Sequence, residues 1–173
     1  MGLWILRIYE RCSGCRLCEI ACSLRHEGRV WPEASRIRVF EFAPAIDVPH
    51  LCSQCDDYPC VKACPTQALL IDKETGAVLV DEGKCVLCGE CIKACPGRVP
   101  RIVAGKDSVV ICDLCGGEPE CVKVCEQAGF NALKLVKRPD EPVPKAYSRE
   151  PTEVAKDLIR KYFGYGSVFE GGV

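Results

Sequence analysis

The stretch Lys84-Cys85-Val86-Leu87-Cys88-Gly89-Glu90-Cys91-Ile92-Lys93-Ala94-Cys95-Pro96 decides how this chain folds. Its cysteines are spaced C-x2-C-x2-C-x3-C and a proline follows the last. The same first and last gaps recur in Cys12-Cys15-Cys18-Cys22, in Cys52-Cys55-Cys60-Cys64 and in Cys112-Cys115-Cys121-Cys125, and only the middle gap varies. The sixteen cysteines of the 173-residue chain are thereby used up, four to a group. Three closely spaced thiolates wrap three corners of an iron–sulfide cubane, and the fourth must come from elsewhere. The run is the ligand pattern of a protein with two [4Fe–4S] clusters, written twice, so four clusters are expected.

Two other uses of cysteine fit less well. Zinc also takes C-x2-C pairs, but a four-thiolate zinc site does not account for a third and fourth cysteine at fixed places in every group. Cys64-Pro65 and Cys95-Pro96 add the proline that closes an iron–sulfur run. A disulfide framework belongs to secreted chains. The start, Met1-Gly2-Leu3-Trp4-Ile5-Leu6-Arg7, has no basic n-region, long apolar stretch or cleavage site. With no apolar run long enough for a bilayer, the expectation is a cytoplasmic protein without direct membrane insertion.

Composition points the same way. The hydrophobic fraction of 48% counts the cysteines, and aromatics are only 7%. A core this thin needs staples, and the metal would supply them, so folding should depend on cluster insertion. The formal charge is −1 with neutral thiols; four clusters with their thiolates, at about −2 each, bring it to roughly −9. Charges are mixed throughout, and no basic stripe argues for nucleic acid.

Between the cysteine groups lie short strands. Leu3 to Tyr9 reads as the first, and Arg36-Ile37-Arg38-Val39 alternates polar and apolar. Leu69–Ile71 and Val78–Val80 flank Lys73-Glu74-Thr75-Gly76 as a hairpin, and Arg101–Val103 with Val109–Ile111 reads as a second. Ala132–Val136 is the last strand. The third and fourth cysteines of every group are four apart, about one helical turn. A short helix between them can therefore give one ligand to each of two clusters, as the fourth cysteine does in two-cluster ferredoxins. Gly14 and Gly89 sit inside the tight loops, where positive φ allows close backbone approach.

The character changes after Val136. Pro139, Pro142 and Pro144 read as an extended linker. Pro151 suits a helix start, Val154, Ala155, Leu158, Ile159, Tyr162 and Phe163 recur at helical spacing, and Gly164 is a stop. This apolar face either packs back on its own domain or docks on a partner. The expected fold is α+β: two tandem pseudo-symmetric bacterial ferredoxin-like modules over 1–137, then a linker and C-terminal helical tail over 138–173. His26 and His50, the only histidines, are not needed as ligands when sixteen cysteines saturate four clusters. Trp4 and Trp31 read as packing residues, and Gly105-Lys106-Asp107-Ser108 is a turn with no phosphate-loop run before it.

The runs Leu51–Cys55 through Cys60-Val61-Lys62-Ala63-Cys64-Pro65-Thr66, Lys84–Pro96, and Cys112-Asp113-Leu114-Cys115 through Cys121 resemble the four-cluster iron–sulfur subunits of the DMSO reductase family. Cys18-Glu19-Ile20-Ala21-Cys22, His26-Glu27-Gly28 and Ser35–Val39 are similar to one branch, the small electron-transfer subunit of tungsten-dependent aldehyde oxidoreductases. The resemblance covers about residues 5–136. It implies nested ligand sets: Cys12, Cys15, Cys18 with Cys125; Cys112, Cys115, Cys121 with Cys22; Cys52, Cys55, Cys60 with Cys95; and Cys85, Cys88, Cys91 with Cys64. The residues alone also allow the first group to pair with the second and the third with the fourth. Cys22-Ser23 and Cys125-Glu126 depart from the Cys-Pro ending shared by the second and third groups, a contrast that favours nesting.

The resemblance implies an electron-transfer subunit with no substrate site of its own. It would relay single electrons between a larger catalytic subunit, tungsten- or molybdenum-pterin and aldehyde-oxidising, and a soluble ferredoxin-like carrier. A hydrogenase or carbon monoxide dehydrogenase partner, or a free polyferredoxin, is the alternative.

Overall fold

The computed structural model describes residues 2–140 and 143–164. Four helices start within or just after the cysteine loops: α1 (Leu17–Glu27), α2 (Pro59–Lys62), α3 (Glu90–Ala94) and α4 (Glu120–Gln127). Each carries the third cysteine of its group in its first turn. The chain enters the first three through a left-handed residue, Arg16 (φ 58°), Tyr58 (φ 42°) and Gly89 (φ 78°). Before α4, Leu114 to Gly117 are all left-handed. Such residues curl the loop and turn successive backbone N–H groups inward.

Proline decides where the helices end. Pro65 and Pro96 follow Cys64 and Cys95, and α2 and α3 stop just short of those cysteines. No proline follows Cys22 or Cys125, and α1 and α4 run on beyond them. The helix of the first group is therefore eleven residues long rather than one turn. Gly28 (φ 67°) ends it, its N–H donating to Leu24 O.

The helices pack α1 on α4 and α2 on α3. The strands repeat this outside-in order. β1 (Leu3–Arg7) pairs antiparallel with β6 (Leu133–Lys137), from Leu3↔Lys137 to Arg7↔Leu133. The two ends of the cysteine-bearing chain are thus clasped together. β4 (Leu69–Ile71) and β5 (Val78–Val80) form the expected central hairpin, in register Leu69↔Val80. The main core mixes Ile5, Ile37, Leu51, Val78, Ile111 and Leu114 with buried cysteines. The architecture is α+β, tandem ferredoxin-like modules followed by a C-terminal helix.

Some elements differ from the sequence reading. The first strand ends at Arg7, and Tyr9–Arg11 form a 3-10 turn that delivers Cys12. Arg36–Val39 leads into β2 (Arg38–Ala43), which pairs with β3 (Ile46–His50), a strand hidden by Asp47 and Pro49. The second hairpin shrinks to one bridge, Arg101↔Val110. There Val103 turns into a small cluster with Ala34, Val110 and Trp31, and the Arg101 guanidinium bonds the carbonyls of Glu33 and Ser35.

The linker is not simply extended. Pro144 lies in the first turn of α5 (Val143–Tyr147), where a missing N–H is no loss; Pro142 falls outside the described residues. Pro151 opens α6 (Pro151–Phe163) and Gly164 (φ 66°) closes it, as its sequence indicates. Val154, Ala155, Leu158 and Ile159 pack on Ile46 and Val48 of β3, which covers this part of the helix's apolar face, whereas Tyr162 and Phe163 at its end are exposed. The tail beyond Gly164 lies outside the described residues.

Candidate metal centres

None of the sixteen cysteines forms a disulfide. Cys12, Cys15 and Cys18 line one cavity together with Cys125, walled by Val39, Pro49 and Leu133. Cys85, Cys88 and Cys91 line another together with Cys64, walled by Leu69 and Val109. The remaining eight fall into two further neighbourhoods. The charges of Cys55 and Cys95 act on Cys60, and those of Cys60 and Cys95 on Cys52. Cys22, Cys112 and Cys115 act together on Cys121. The first group thus meets the fourth, and the second meets the third, because α1 packs on α4 and α2 on α3.

Neighbouring sets influence one another in one order. Cys18 bears electrostatically on Cys121, Cys112 on Cys52, and Cys91 on Cys60. The sets therefore form a row. Cys15 and Cys88, in its two end sets, are the exposed cysteines. The third cysteine of every group (Cys18, Cys60, Cys91, Cys121) is buried.

The fourth cysteine of every group accepts a backbone N–H at sulfur. Ala68 N donates to Cys64 Sγ at 3.2 Å and Val99 N to Cys95 Sγ at 3.5 Å, each from four residues on, through the turn that the proline opens. Arg36 N donates to Cys22 Sγ at 3.2 Å and Ala132 N to Cys125 Sγ at 3.3 Å, from further along, because α1 and α4 have to finish first. One contact is thus made by two routes, set by the presence or absence of proline.

The thiols fit a soft metal centre. Burial pushes the pKa of Cys60 up to about 12 and of Cys91 up to about 11. Burial likewise raises Cys12, Cys18, Cys52, Cys95, Cys112, Cys115 and Cys121. Cys64 shifts the other way: its burial is overcome by N–H groups of Leu69, Ala68 and Thr66 and by the Thr66 hydroxyl, and its pKa falls. Converging buried sulfurs become thiolates when a soft cation replaces their protons, and four per site in apolar walls is the donor set of an iron–sulfur cluster or of zinc.

Sequence reading missed the side chains around the sulfurs. His26 Nε2 lies 3.4 Å from Cys115 Sγ and 3.5 Å from Asp113 Oδ1. Burial lowers the pKa of His26 against the pull of Asp113. His50 instead donates Nε2–H to Gly97 O at 2.7 Å, and burial brings it down to about 4. Ser148, between α5 and α6, sits 3.3 Å from Cys55 Sγ. Trp4 is a packing residue, edge-on to Tyr147 at 5.0 Å between centroids. His26 lies one turn beyond Cys22 because α1 is longer than the one-turn helix the cysteine spacing suggests, and neither that length nor its meeting with the fourth group was read from the sequence.

Comparison with known proteins bears on the same residues. A family described as 4Fe-4S dicluster domain matches residues 45–135, and a 4Fe-4S binding domain matches residues 9–25. The polyferredoxin-like subunit of aliphatic sulfonate oxidoreductase from Pyrococcus furiosus is 60% identical over 162 residues, 94% of each chain. A polypeptide of the anaerobic dimethyl sulfoxide reductase of Escherichia coli is 30% identical, over 85% of this chain and 84% of its own length. A polypeptide of the active-site complex BamBC of benzoyl coenzyme A reductase is 26% identical at a TM-score of 0.44, covering 93% of this chain and 90% of its own. With sixteen cysteines in four groups, the two family matches make the chain a carrier of multiple [4Fe–4S] clusters, about four. Among the described residues, no helix is long and apolar enough to cross a membrane.

Proposed function

The chain belongs to the 4Fe-4S dicluster family, and from that premise we propose that it is the electron-transfer subunit of an oxidoreductase complex, with no substrate site of its own. The observation that carries this is the row of four thiol sets with an exposed cysteine at each end. Each [4Fe–4S] group, when bound, exchanges one electron. The proposed ligand sets are Cys12, Cys15, Cys18 and Cys125; Cys22, Cys112, Cys115 and Cys121; Cys52, Cys55, Cys60 and Cys95; and Cys64, Cys85, Cys88 and Cys91. Two cavities, each lined by one whole set, and the neighbours of the buried sulfurs support these assignments.

This chain's residues do the rest. Left-handed loop residues hold thiolates and N–H groups facing inward. Leu51, Leu69, Val78 and Leu133 keep water from the sulfurs. N–H donors from Arg36, Ala68, Val99 and Ala132 stabilise negative charge on the fourth ligand of each group. Cys15 and Cys88 are the points where a donor and an acceptor protein approach.

For the catalytic partner, the Pyrococcus relative favours an aliphatic sulfonate oxidoreductase. A tungsten- or molybdenum-pterin, aldehyde-oxidising subunit is the second reading, resting on the Cys18–Cys22 and Ser35–Val39 motifs. In both, the complex is cytoplasmic and a soluble ferredoxin-like carrier takes the other end. Purification of the untagged protein from its own cells without air tests the proposal. The expected result is a brown complex with a larger subunit, about sixteen irons per copy of this chain, tungsten or molybdenum in the partner, and bleaching when an aliphatic sulfonate or an aldehyde is added. Zinc in place of iron, or a stable chain without any larger partner, refutes it.

A further inference from the structure

Arg7, the last residue of β1, is 1% exposed. Its guanidinium meets neutral oxygens rather than a carboxylate. Nη1 donates to Leu51 O at 3.2 Å and Nη2 to Ser53 Oγ at 2.7 Å, on either side of Cys52. Nε has no partner among the described residues. Trp4 and Tyr147 close over it, the Tyr147 ring centre 4.9 Å from Cζ, and Trp4 Nε1 donates to Ser53 O at 3.1 Å. A guanidinium keeps its proton even when buried, and a buried charge without a counter-charge is costly. The acidic groups that act on it are Tyr9, Tyr147 and the thiols of Cys52 and Cys112. Those two sulfurs belong to the two inner sets of the row. Gln54 ties the same two loops together, its Nε2 donating to Cys112 O at 3.4 Å from a fully buried position.

We propose that Arg7 is the shared counter-cation of the two inner ligand sets, biasing both toward their reduced, more negative state and so fixing the energy of the middle of the electron path. The proposal rests on the ligand sets given above. An electron crossing the middle leaves one inner set oxidised by one electron and the other reduced by one. Arg7 takes part in no bond change and no proton transfer, so its effect is a fixed field. The end sets, with Cys15 and Cys88 exposed, lie beyond Cys121 and Cys60, and the sulfurs that act on Arg7 belong to the inner sets.

The test is an anaerobic redox titration of the cluster-loaded full chain, followed by electron paramagnetic resonance, for wild type, Arg7→Gln and Arg7→Lys. In R7Q, two of four couples should shift to lower potential. Their reduced-to-oxidised ratio at a fixed potential should fall about tenfold or more, which is about 59 mV for a one-electron couple. The other two should stay within about twofold. R7K keeps the charge and should leave all four within about threefold, about 28 mV by the same constant. An R7Q protein with full iron and unmoved couples overturns the proposal. So does R7K with full iron and a tenfold shift, which would make packing the cause. Loss of iron in both variants assigns Arg7 to holding the fold and also overturns it. Iron far below about sixteen per chain in wild type would instead sink the ligand sets themselves, a distinguishable failure.

Discussion

Ligand sharing between distant groups makes a prediction that arithmetic can refute. Consider Cys15→Ala, Cys125→Ala and Cys22→Ala. Cys15 and Cys125 line the same cavity, whereas Cys22 acts on Cys121 and Cys112 in the adjoining set. Each single variant should lose one centre, at most about four irons of about sixteen. The C15A/C125A double variant should lose no more than either single, because both substitutions strike one set. C15A/C22A should lose two centres, at most about eight irons, although these two residues lie only seven positions apart in one helix-bearing group. The pattern is a double-mutant cycle in which coupling appears as non-additivity. The assay is iron and acid-labile sulfide per chain after anaerobic purification, with the number of spin signals in the dithionite-reduced protein as a second count. Additive losses in C15A/C125A, alongside non-additive losses between Cys22 and a second-group cysteine such as Cys52→Ala, would refute nesting and establish sequential pairing.

Other outcomes follow from named contacts. Cys60 and Cys91 have pKa values near 12 and 11 in the metal-free fold, above the ~8.5 of an unfolded thiol. The metal-free fold therefore holds more protons than the unfolded chain above about pH 8.5, and loses stability as pH rises from there through 11 and 12. Iron displaces those protons, so cluster loading should release acid and strengthen from pH 6 to 8.5, as read by a pH indicator and by visible absorbance. Leu158→Ala should cost about 2–5 kcal/mol because its side chain is buried on β3, whereas Phe163→Ala, 53% exposed, should stay within about 0.5 kcal/mol; thermal melts of the loaded protein separate them. Gly14→Ala and Gly89→Ala each put a side chain at positive φ, at about 1–2 kcal/mol. At Gly14 the new Cβ also meets Asp47 Oδ1 at 2.5 Å, while Gly89 has open space, so G14A should lose iron to a chelator faster than G89A.

Much of the fold was legible where chain chemistry is local. Pro151 and Gly164 marked helix ends, and Lys73–Gly76 marked a turn, because a missing N–H or a positive φ acts within a few residues. β3 was illegible because Asp47 and Pro49 argue against a strand, and only pairing with β2 and the cover of α6 make Ile46–His50 a buried one. The role of Arg7 could not be read for a similar reason. Nothing in Leu6-Arg7-Ile8 distinguishes a surface arginine from one whose guanidinium brackets Cys52, a contact made across forty-four residues. His26 and Ser148 reach sulfur across still longer separations.

The contrast between the two kinds of cysteine ending explains why the row has this shape. Where proline follows the fourth cysteine, the helix stops, and a four-residue turn gives its sulfur an N–H at once. The second and third groups can then sit close, on short helices joined by the β4–β5 hairpin. Where proline is absent, α1 and α4 extend past their cysteines and acquire enough length to pack on each other. That longer contact is what holds two groups ninety residues apart, with β1 and β6 as a second clasp. The cost is that Cys22 and Cys125 must borrow donors from Arg36 and Ala132, on loops that other elements have to fix in place. Introducing proline after Cys22 would shorten α1 at Ser23, whose hydroxyl accepts Trp31 N–H, and would remove both the helix contact and the path that carries Arg36 back to the sulfur. Placing a proline at Ser23 therefore acts on two ligand sets through one peptide unit, whereas removing Pro65 or Pro96 acts on one turn.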